Sequence, residues 1–381
     1  MSASRPFRIA VPQETLDWIR ASICAVDLPP APVDDSGWRY GVDVRWLKDF
    51  LDYWAKHHDW RAEEARLNAV PQFLAGIDGI DIHFFHLRGS APTPRPLILT
   101  HGWPGSAYEF VQMFEPLAFP ERFGGKAADG FDLVVPSLPG AGFSGNPPRP
   151  IGPRAIAALW RKLMCDVLGY ERFAAQGGDL GSAVSTWLGA DHADVVAAIH
   201  LNLCVPPMTD ATRDPEEIKW RADFMAVQQR ESAYMMEHMT KPQTVAAALS
   251  ASPVALAAWV TEKFQSWGDT NGDIESRFSK DQLIANLMFY LGADKAGTAI
   301  WLYRGAAEER ASGRFEGLKV SVPTAITLFP KEFLPAPPRR AVERYYNVQH
   351  WQEMPGGGHF AALEEPFALA GDIREFLRAR L

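Results

Sequence analysis

The stretch Gln176-Gly-Gly-Asp-Leu-Gly-Ser182 sets one carboxylate among residues too small to crowd it. Gly177-Gly-Asp-Leu-Gly181 fits the pattern small-x-nucleophile-x-small, in which a tight strand-to-helix turn lifts the central side chain above the end of a sheet. Asp also caps helices often, so the motif alone leaves Asp179 divided between nucleophile and cap. A second piece, His101-Gly-Trp-Pro-Gly-Ser106, directly follows the apolar run LILT. At that place the backbone N–H of Trp103 can converge with that of Leu180 on a single oxygen, as an oxyanion hole requires. HGWPG also reads as a plain tight turn, with His101 a structural hydrogen bonder. The third piece is Gly356-Gly-Gly-His-Phe360. Of the ten histidines, only His359 combines a loop after a late strand with glycines that let the backbone bend inward, which makes it the natural base. The pairs His57-His58 and His83/His86 read as solvated or packing residues and lack metal-ligand spacing. A base histidine needs an acid to hold its tautomer, and Glu332, in Phe329-Pro-Lys-Glu332 just after the run PTAITLF, is the best placed.

Aspartate in the nucleophile position restricts the chemistry. Attack by a carboxylate on an acyl carbon makes an anhydride, which is worse than the starting ester. Attack at an sp³ carbon makes an ordinary ester instead. Water activated by His359 can then hydrolyse that ester at the aspartyl carbonyl, whose oxygen sits in the oxyanion hole. Two leaving groups satisfy this scheme. An epoxide oxygen needs an acid donor as it opens, whereas a halide needs weak N–H donors. A third reading keeps the fold and drops the chemistry, leaving a binder of small lipophiles.

The pieces require a sheet whose strand ends share one edge. Runs around LILT, FDLVVPSL, RFAAQGG and VVAAIHLNL alternate with helical segments, which predicts a mostly parallel sheet. The nucleophile, acid and histidine come in the chain order expected of an α/β-hydrolase fold, each after a predicted strand. Four segments are expected. Residues 1–90 form an N-terminal helical extension leading into an edge hairpin at Asp78-Gly79, and residues 91–204 form the first part of the core. Residues 205–317 form a helical cap, with long helices over 216–240 and 243–264 and a capping box at Ser279-x-x-Gln282. Residues 318–381 complete the core. A net charge of −8 with no basic run excludes nucleic acid and anionic membranes as partners. Cys24, Cys165 and Cys204 are too scattered for a disulfide framework or a zinc site. With neither a signal peptide nor an apolar span in view, a cytoplasmic protein without a membrane anchor is expected.

The stretches HGWPGS, GGDLGS, LIANLMFYL, WLYRG, VPTAITLFPKE and GGGHFAALEEP, with the long segment that opens RESAYMMEHMTKPQ, jointly resemble the microsomal-type branch of epoxide hydrolases. The resemblance covers essentially the whole chain and includes the N-terminal extension. It implies an enzyme without cofactor or metal that converts an epoxide to a diol, with Asp179, His359 and Glu332 as its triad. It further implies two cap tyrosines that bind and protonate the epoxide oxygen, matched by Tyr234 in RESAYM and Tyr303 in IWLYRG. Tyr290 is read as a packing residue. Family members commonly carry Trp after the nucleophile. Leu180 stands there instead, which keeps the amide and removes an indole N–H that dehalogenases use for halide. Trp103, Trp259, Trp267 and Trp301 are the expected substrate-binding aromatics and imply a lipophilic epoxide, and a homodimer is compatible with the fold.

Overall fold

The computed structural model describes residues 4–34, 37–208, 211–313 and 317–381. Strands β1 (Arg5–Phe7), β2 (Gln72–Ile77), β3 (Ile80–Leu87), β4 (Pro96–Thr100), β5 (Asp132–Pro136), β6 (Phe173–Gly177), β7 (Val196–Leu201), β8 (Val320–Leu328) and β9 (Tyr346–Glu353) make one sheet. Their order is β1-β2-β3-β5-β4-β6-β7-β8-β9. Pairing is antiparallel from β1 through β3 to β5 and parallel from β5 onward. Every residue of β4, β5, β6 and β7 is buried, as expected for central parallel strands covered by helices on both faces.

The hairpin at Asp78-Gly79 forms, with both residues at positive φ (50° and 80°), the geometry that suits a right-twisted two-residue turn. It is not at the edge. β1 pairs with β2 and covers it, so the three-residue β1 is the outer strand. Arg5-Pro-Phe7 is too short to carry an alternating pattern, which is why sequence periodicity does not reveal it.

Between β7 and β8 the described residues form six α-helices and no strand: Pro215–Glu231, Ala233–Thr240, Pro242–Ala251, Pro253–Trp267, Lys280–Leu291 and Trp301–Ala311. Residues 209–210 and 314–316 of the expected insertion lie outside the described residues. The two long helices expected at 216–240 and 243–264 are each interrupted. Ser232 leaves the helical region (φ −92°, ψ 0°), so Ala233–Thr240 sets off separately. Pro253 has no N–H to continue the preceding helix, and Ser252 accepts a hydrogen bond from Ala255 N–H to cap the next one. The helices on either side of this break meet at 115°. The capping box of Ser279 and Gln282 forms in both directions.

The N-terminal helices Gln13–Ala25, Val44–Lys56 and Trp60–Leu67 lie against the insertion as well as the sheet. Trp46 Nε1 donates to Glu275, Tyr53 donates to Asp281, and Lys280 pairs with Asp49. At the far side of the sheet, Asp372 on the last helix (Pro366–Leu377) bonds His200 on β7, Thr327 on β8 and His350 on β9, tying three strands to one helix. Among the described residues, no single helix is long and apolar enough to cross a membrane.

Glu217, 1% exposed, fastens the insertion to the core: its carboxylate accepts from Arg344 and Arg221 at 2.6 Å and from Thr212 at 3.0 Å. The Arg344 bond holds its carboxyl down to about 2 against the penalty of burial, with Arg221 and Thr212 assisting. A depressed carboxyl stabilises above its unfolded value, near 4.3, and loses that contribution as pH falls through the folded value. Glu217→Gln is therefore expected to lower stability by about 2 kcal/mol at neutral pH. In melting curves run as a pH series, the difference from the parent should shrink below about pH 4.

Candidate active site

Thr100 ends β4 directly opposite Gly177, which ends β6, so the turns that follow these two strands lie side by side. This is where the strand order reverses, the place at which open parallel sheets form a crevice beyond their carboxyl ends. Asp179 opens the helix Asp179–Asp191 with φ 46°, a left-handed value that costs a non-glycine residue about 1 kcal/mol or more. Neighbouring glycines make the turn possible. A Cβ on Gly181 would lie 1.9 Å from the Thr100 carbonyl oxygen, and one on Gly102 would lie 2.0 Å from Asp179 Oδ1.

That close approach lets the Trp103 N–H donate to Asp179 Oδ1 at 2.9 Å. The Leu180 amide belongs to the first turn of the elbow helix, where N–H groups have no acceptor within the helix. The Trp103 loop is pinned from the insertion: Asn286 donates to Pro104 O at 2.8 Å and Tyr290 donates to Gly105 O at 2.5 Å. Tyr290 is thus more than a packing residue. His101 Nε2 accepts from Leu138 N–H and its Nδ1 faces Gly102 O, which requires the neutral Nδ1–H tautomer, and burial pushes its pKa down to about 4. It is a structural hydrogen bonder.

Glu332 and His359 are brought together one step beyond the β8–β9 ladder, where Lys331 and Gly358 form a parallel bridge. His359 Nδ1 lies 2.9 Å and 3.0 Å from the two oxygens of Glu332, and its Nε2 lies 3.4 Å from Asp179 Oδ2. Burial opposes a charged imidazole here, yet the carboxylates of Glu332 and Asp179 win and hold the His359 pKa well above its usual value. The loop that carries His359 is shaped by Glu364, which accepts N–H bonds from Asp269 (2.7 Å), Gly358 (2.9 Å) and Phe360 (2.9 Å).

Tyr234 and Tyr303, 7% and 5% exposed, meet over Trp103. Tyr234 stacks on the indole at 5.2 Å, Tyr303 packs edge-on to it at 5.8 Å, and the two phenol rings are 5.7 Å apart and perpendicular. The Tyr303 hydroxyl is buried without a hydrogen-bond partner among the described residues. Burial raises the pKa of both phenols, and the Asp179 charge raises them further, so both remain neutral donors.

The four tryptophans separate. Trp103 is central, and Trp267 is fully buried, stacked on Phe333 at 4.5 Å and edge-on to His359 at 5.1 Å. Trp259 is one layer out: its indole N–H donates to His238, whose ring in turn packs on Trp103 and Tyr303. Trp301 is half-buried and precedes Tyr303 by two positions, about 200° around the same helix, so it does not share the face that Tyr303 presents to the site.

A small cavity reaches Asp179 and His359 and is lined also by Thr100, Gly102, Gly178, Asn202 and Glu109. Sequence reading misses Glu109 and His238. Glu109 had a signal, being the one charged residue in Ser106-Ala-Tyr-Glu-Phe-Val-Gln-Met113, whereas His238 had none. Among the described residues, no group of three or more His, Cys, Asp or Glu is arranged to hold a metal ion.

Comparison with known proteins shows the family. Residues 4–110 match the family described as epoxide hydrolase N terminus, and residues 95–231 match that described as alpha/beta hydrolase fold. Over 98% of its length the chain is 40% identical to a provisionally named epoxide hydrolase of Stigmatella aurantiaca (strain DW4/3-1), 84% of which is covered. It is 34% identical, also over 98% of its length, to epoxide hydrolase 1 of Sus scrofa, 88% of which is covered. The chain belongs to the epoxide hydrolase family. The crystal structure of juvenile hormone epoxide hydrolase from the silkworm Bombyx mori matches with a TM-score of 0.91 at 28% identity, covering 100% of this chain and 95% of that one. The fold is therefore the α/β-hydrolase fold.

Glu364 gives a test of how this epoxide hydrolase holds its histidine. In Glu364→Gln the amide NH₂ must face at least one of the three backbone donors, leaving a buried N–H unsatisfied. Turnover of an epoxide should fall by about tenfold or more with KM little changed, because loop position and not substrate contact is lost. Steady-state kinetics on the purified variant check this.

Proposed function

We propose that the enzyme opens a lipophilic epoxide to a vicinal diol through an ester on Asp179. The observation that carries this reading is the two-sided hold on the Asp179 carboxylate: Oδ1 is tied to the Trp103 amide while Oδ2 faces His359. Oδ2 is then the attacking atom. It forms a bond to an epoxide carbon as the C–O bond of the ring breaks, and Tyr234 and Tyr303 supply hydrogen bonds and a proton to the departing oxygen. The Asp179 carbonyl oxygen stays in the hole formed by the amides of Trp103 and Leu180.

Ester formation removes the Asp179 negative charge. One of the two carboxylates that raise His359 is lost, so its pKa falls, its proton returns through solvent to the phenolate left by ring opening, and Nε2 becomes a neutral base at the moment a base is needed. Glu332 keeps the ring oriented and stabilises the imidazolium formed when water is deprotonated. In this reading residues 205–317 act as the cap, which contributes both phenols and the apolar walls. Trp103, Trp267 and His238 favour an aromatic or otherwise lipophilic substrate over a small hydrated one. Leu180 offers no indole N–H to a halide, and two buried phenols suit an alkoxide better than a halide ion.

A single turnover in ¹⁸O-labelled water with enzyme in excess tests the covalent route. The first diol should carry an unlabelled oxygen from Asp179 and the label should appear in the enzyme. Label in the first diol would mean direct attack by water and would remove Asp179 as nucleophile.

The phenols are tested separately. Tyr234→Phe combined with Tyr303→Phe is expected to lower the rate of epoxide opening by about 10² or more, with each single change costing less. Unchanged turnover in the double variant would transfer the acid role elsewhere and reopen halide as the leaving group.

A further inference from the structure

The reaction proposed above leaves Glu109 without a task. It lies on the 3₁₀ segment Ala107–Met113 that follows the Trp103 loop, and it is half-buried with Asp179 and His359 around the same cavity. The cavity volume, about 20 Å³, is close to what one water molecule requires. Neither phenol lines this cavity, so it meets Asp179 on a different side from Tyr234 and Tyr303. The walls carry polar groups, among them Asn202 and Glu109, in the number a bound water needs.

A hydrolytic water has two O–H bonds and must aim a lone pair at the ester carbon. His359 Nε2 can take one O–H, since Nδ1 is committed to Glu332. Unless a second acceptor holds the other O–H, the molecule pivots and the lone pair is misdirected. Resting on the ester mechanism above, we propose that Glu109 holds the hydrolytic water in this cavity by accepting its second O–H through a carboxyl oxygen. The water oxygen forms a bond to Asp179 Cγ, its first proton passes to Nε2, the Cγ–O bond to the alkyl group breaks, that proton leaves on the diol, and the second proton, left on the regenerated Asp179 carboxyl, passes to Nε2. Glu109 is a positioning residue in this scheme and gains or loses no proton.

Its environment fits that task. Burial raises the Glu109 pKa to about 8, with His359 opposing and Asp179 adding to the shift, so near neutral pH the group is mostly uncharged. An uncharged carboxyl spares the site a further buried anion and still offers a carbonyl acceptor. The bland account is that Glu109 only fills space, since a Cβ on Gly105 would run into its carboxyl. Filling space predicts equal damage to both chemical steps, whereas holding water predicts damage to the second alone.

The experiment follows the alkyl-enzyme by intact mass in single turnovers with styrene oxide, comparing the parent with Glu109→Leu, Glu109→Gln and His359→Gln. The adduct should form at the parental rate in Glu109→Leu and decay about tenfold or more slowly. Glu109→Gln, which keeps a carbonyl acceptor, should recover most of the decay rate, and His359→Gln should accumulate adduct. If Glu109→Leu does not fold, Glu109→Ala is read in the same way. Decay at the parental rate, or equal slowing of formation and decay, overturns the role of Glu109 while the ester mechanism stands. No adduct in His359→Gln overturns the ester mechanism, and this proposal with it.

Discussion

The site depends on keeping one carboxylate in contact with a backbone amide from a neighbouring strand. Asp179 sits at positive φ, its Oδ1 is bound to Trp103 N–H, and no side chain larger than hydrogen fits at Gly102 or Gly181. The turns after β4 and β6 must therefore lie almost in contact, which only adjacent parallel strands of matched length provide. The strain is local. It is held by the buried sheet beneath and by the insertion, whose Asn286 and Tyr290 fix the Trp103 loop from above.

Charge balance forms the second layer. Asp179, Glu332, Glu364 and Glu109 gather around a single imidazole, and each is managed differently. Asp179 and Glu332 flank His359 and raise its pKa. Glu364 is held by three backbone N–H groups, though burial still pushes its carboxyl up to about 7. Glu109 is driven up to about 8. Above them, Tyr234, Tyr303, His238 and Trp103 form an aromatic roof. Lys263 lies over the rings of Tyr234 and Trp267, and burial with Lys263 nearby keeps His238 neutral, its pKa near 3. From outside, Asp49 and Tyr53 of the N-terminal helices hold Lys280 and Asp281 at the start of the helix that carries Asn286 and Tyr290, and Trp46 bonds Glu275 just before it.

Much of this was legible in the sequence because the chemistry is carried by loops that immediately follow strands. GGDLGS, HGWPGS, FPKE and GGGHF each hold their functional residue within a few positions of an apolar run, and the turn chemistry of glycine and proline marks the spot. The elements that escaped are those whose signal is not local. β1 is three residues long and is recruited only by pairing with β2. The helix breaks at Ser232 and Ser252 matter because they redirect Tyr234 and Trp267, but periodicity continues almost unbroken across them. The division of the tryptophans into site, second layer and outer face follows from helix packing, on which residue type is silent.

The sequence by itself determined the family and the proposal for the reaction type. Asp179 stands where the elbow pattern puts a nucleophile, followed in order by Glu332 and His359, and a carboxylate in that place suits attack at saturated carbon better than at acyl carbon. Tertiary structure alone decided which tyrosines meet over Trp103, which oxygen of Asp179 is tied to an amide and which faces His359, and that Glu109 shares a cavity with His359. These depend on distances between segments far apart in the chain. Local propensity encodes the turns, but only long-range packing sets how they face one another.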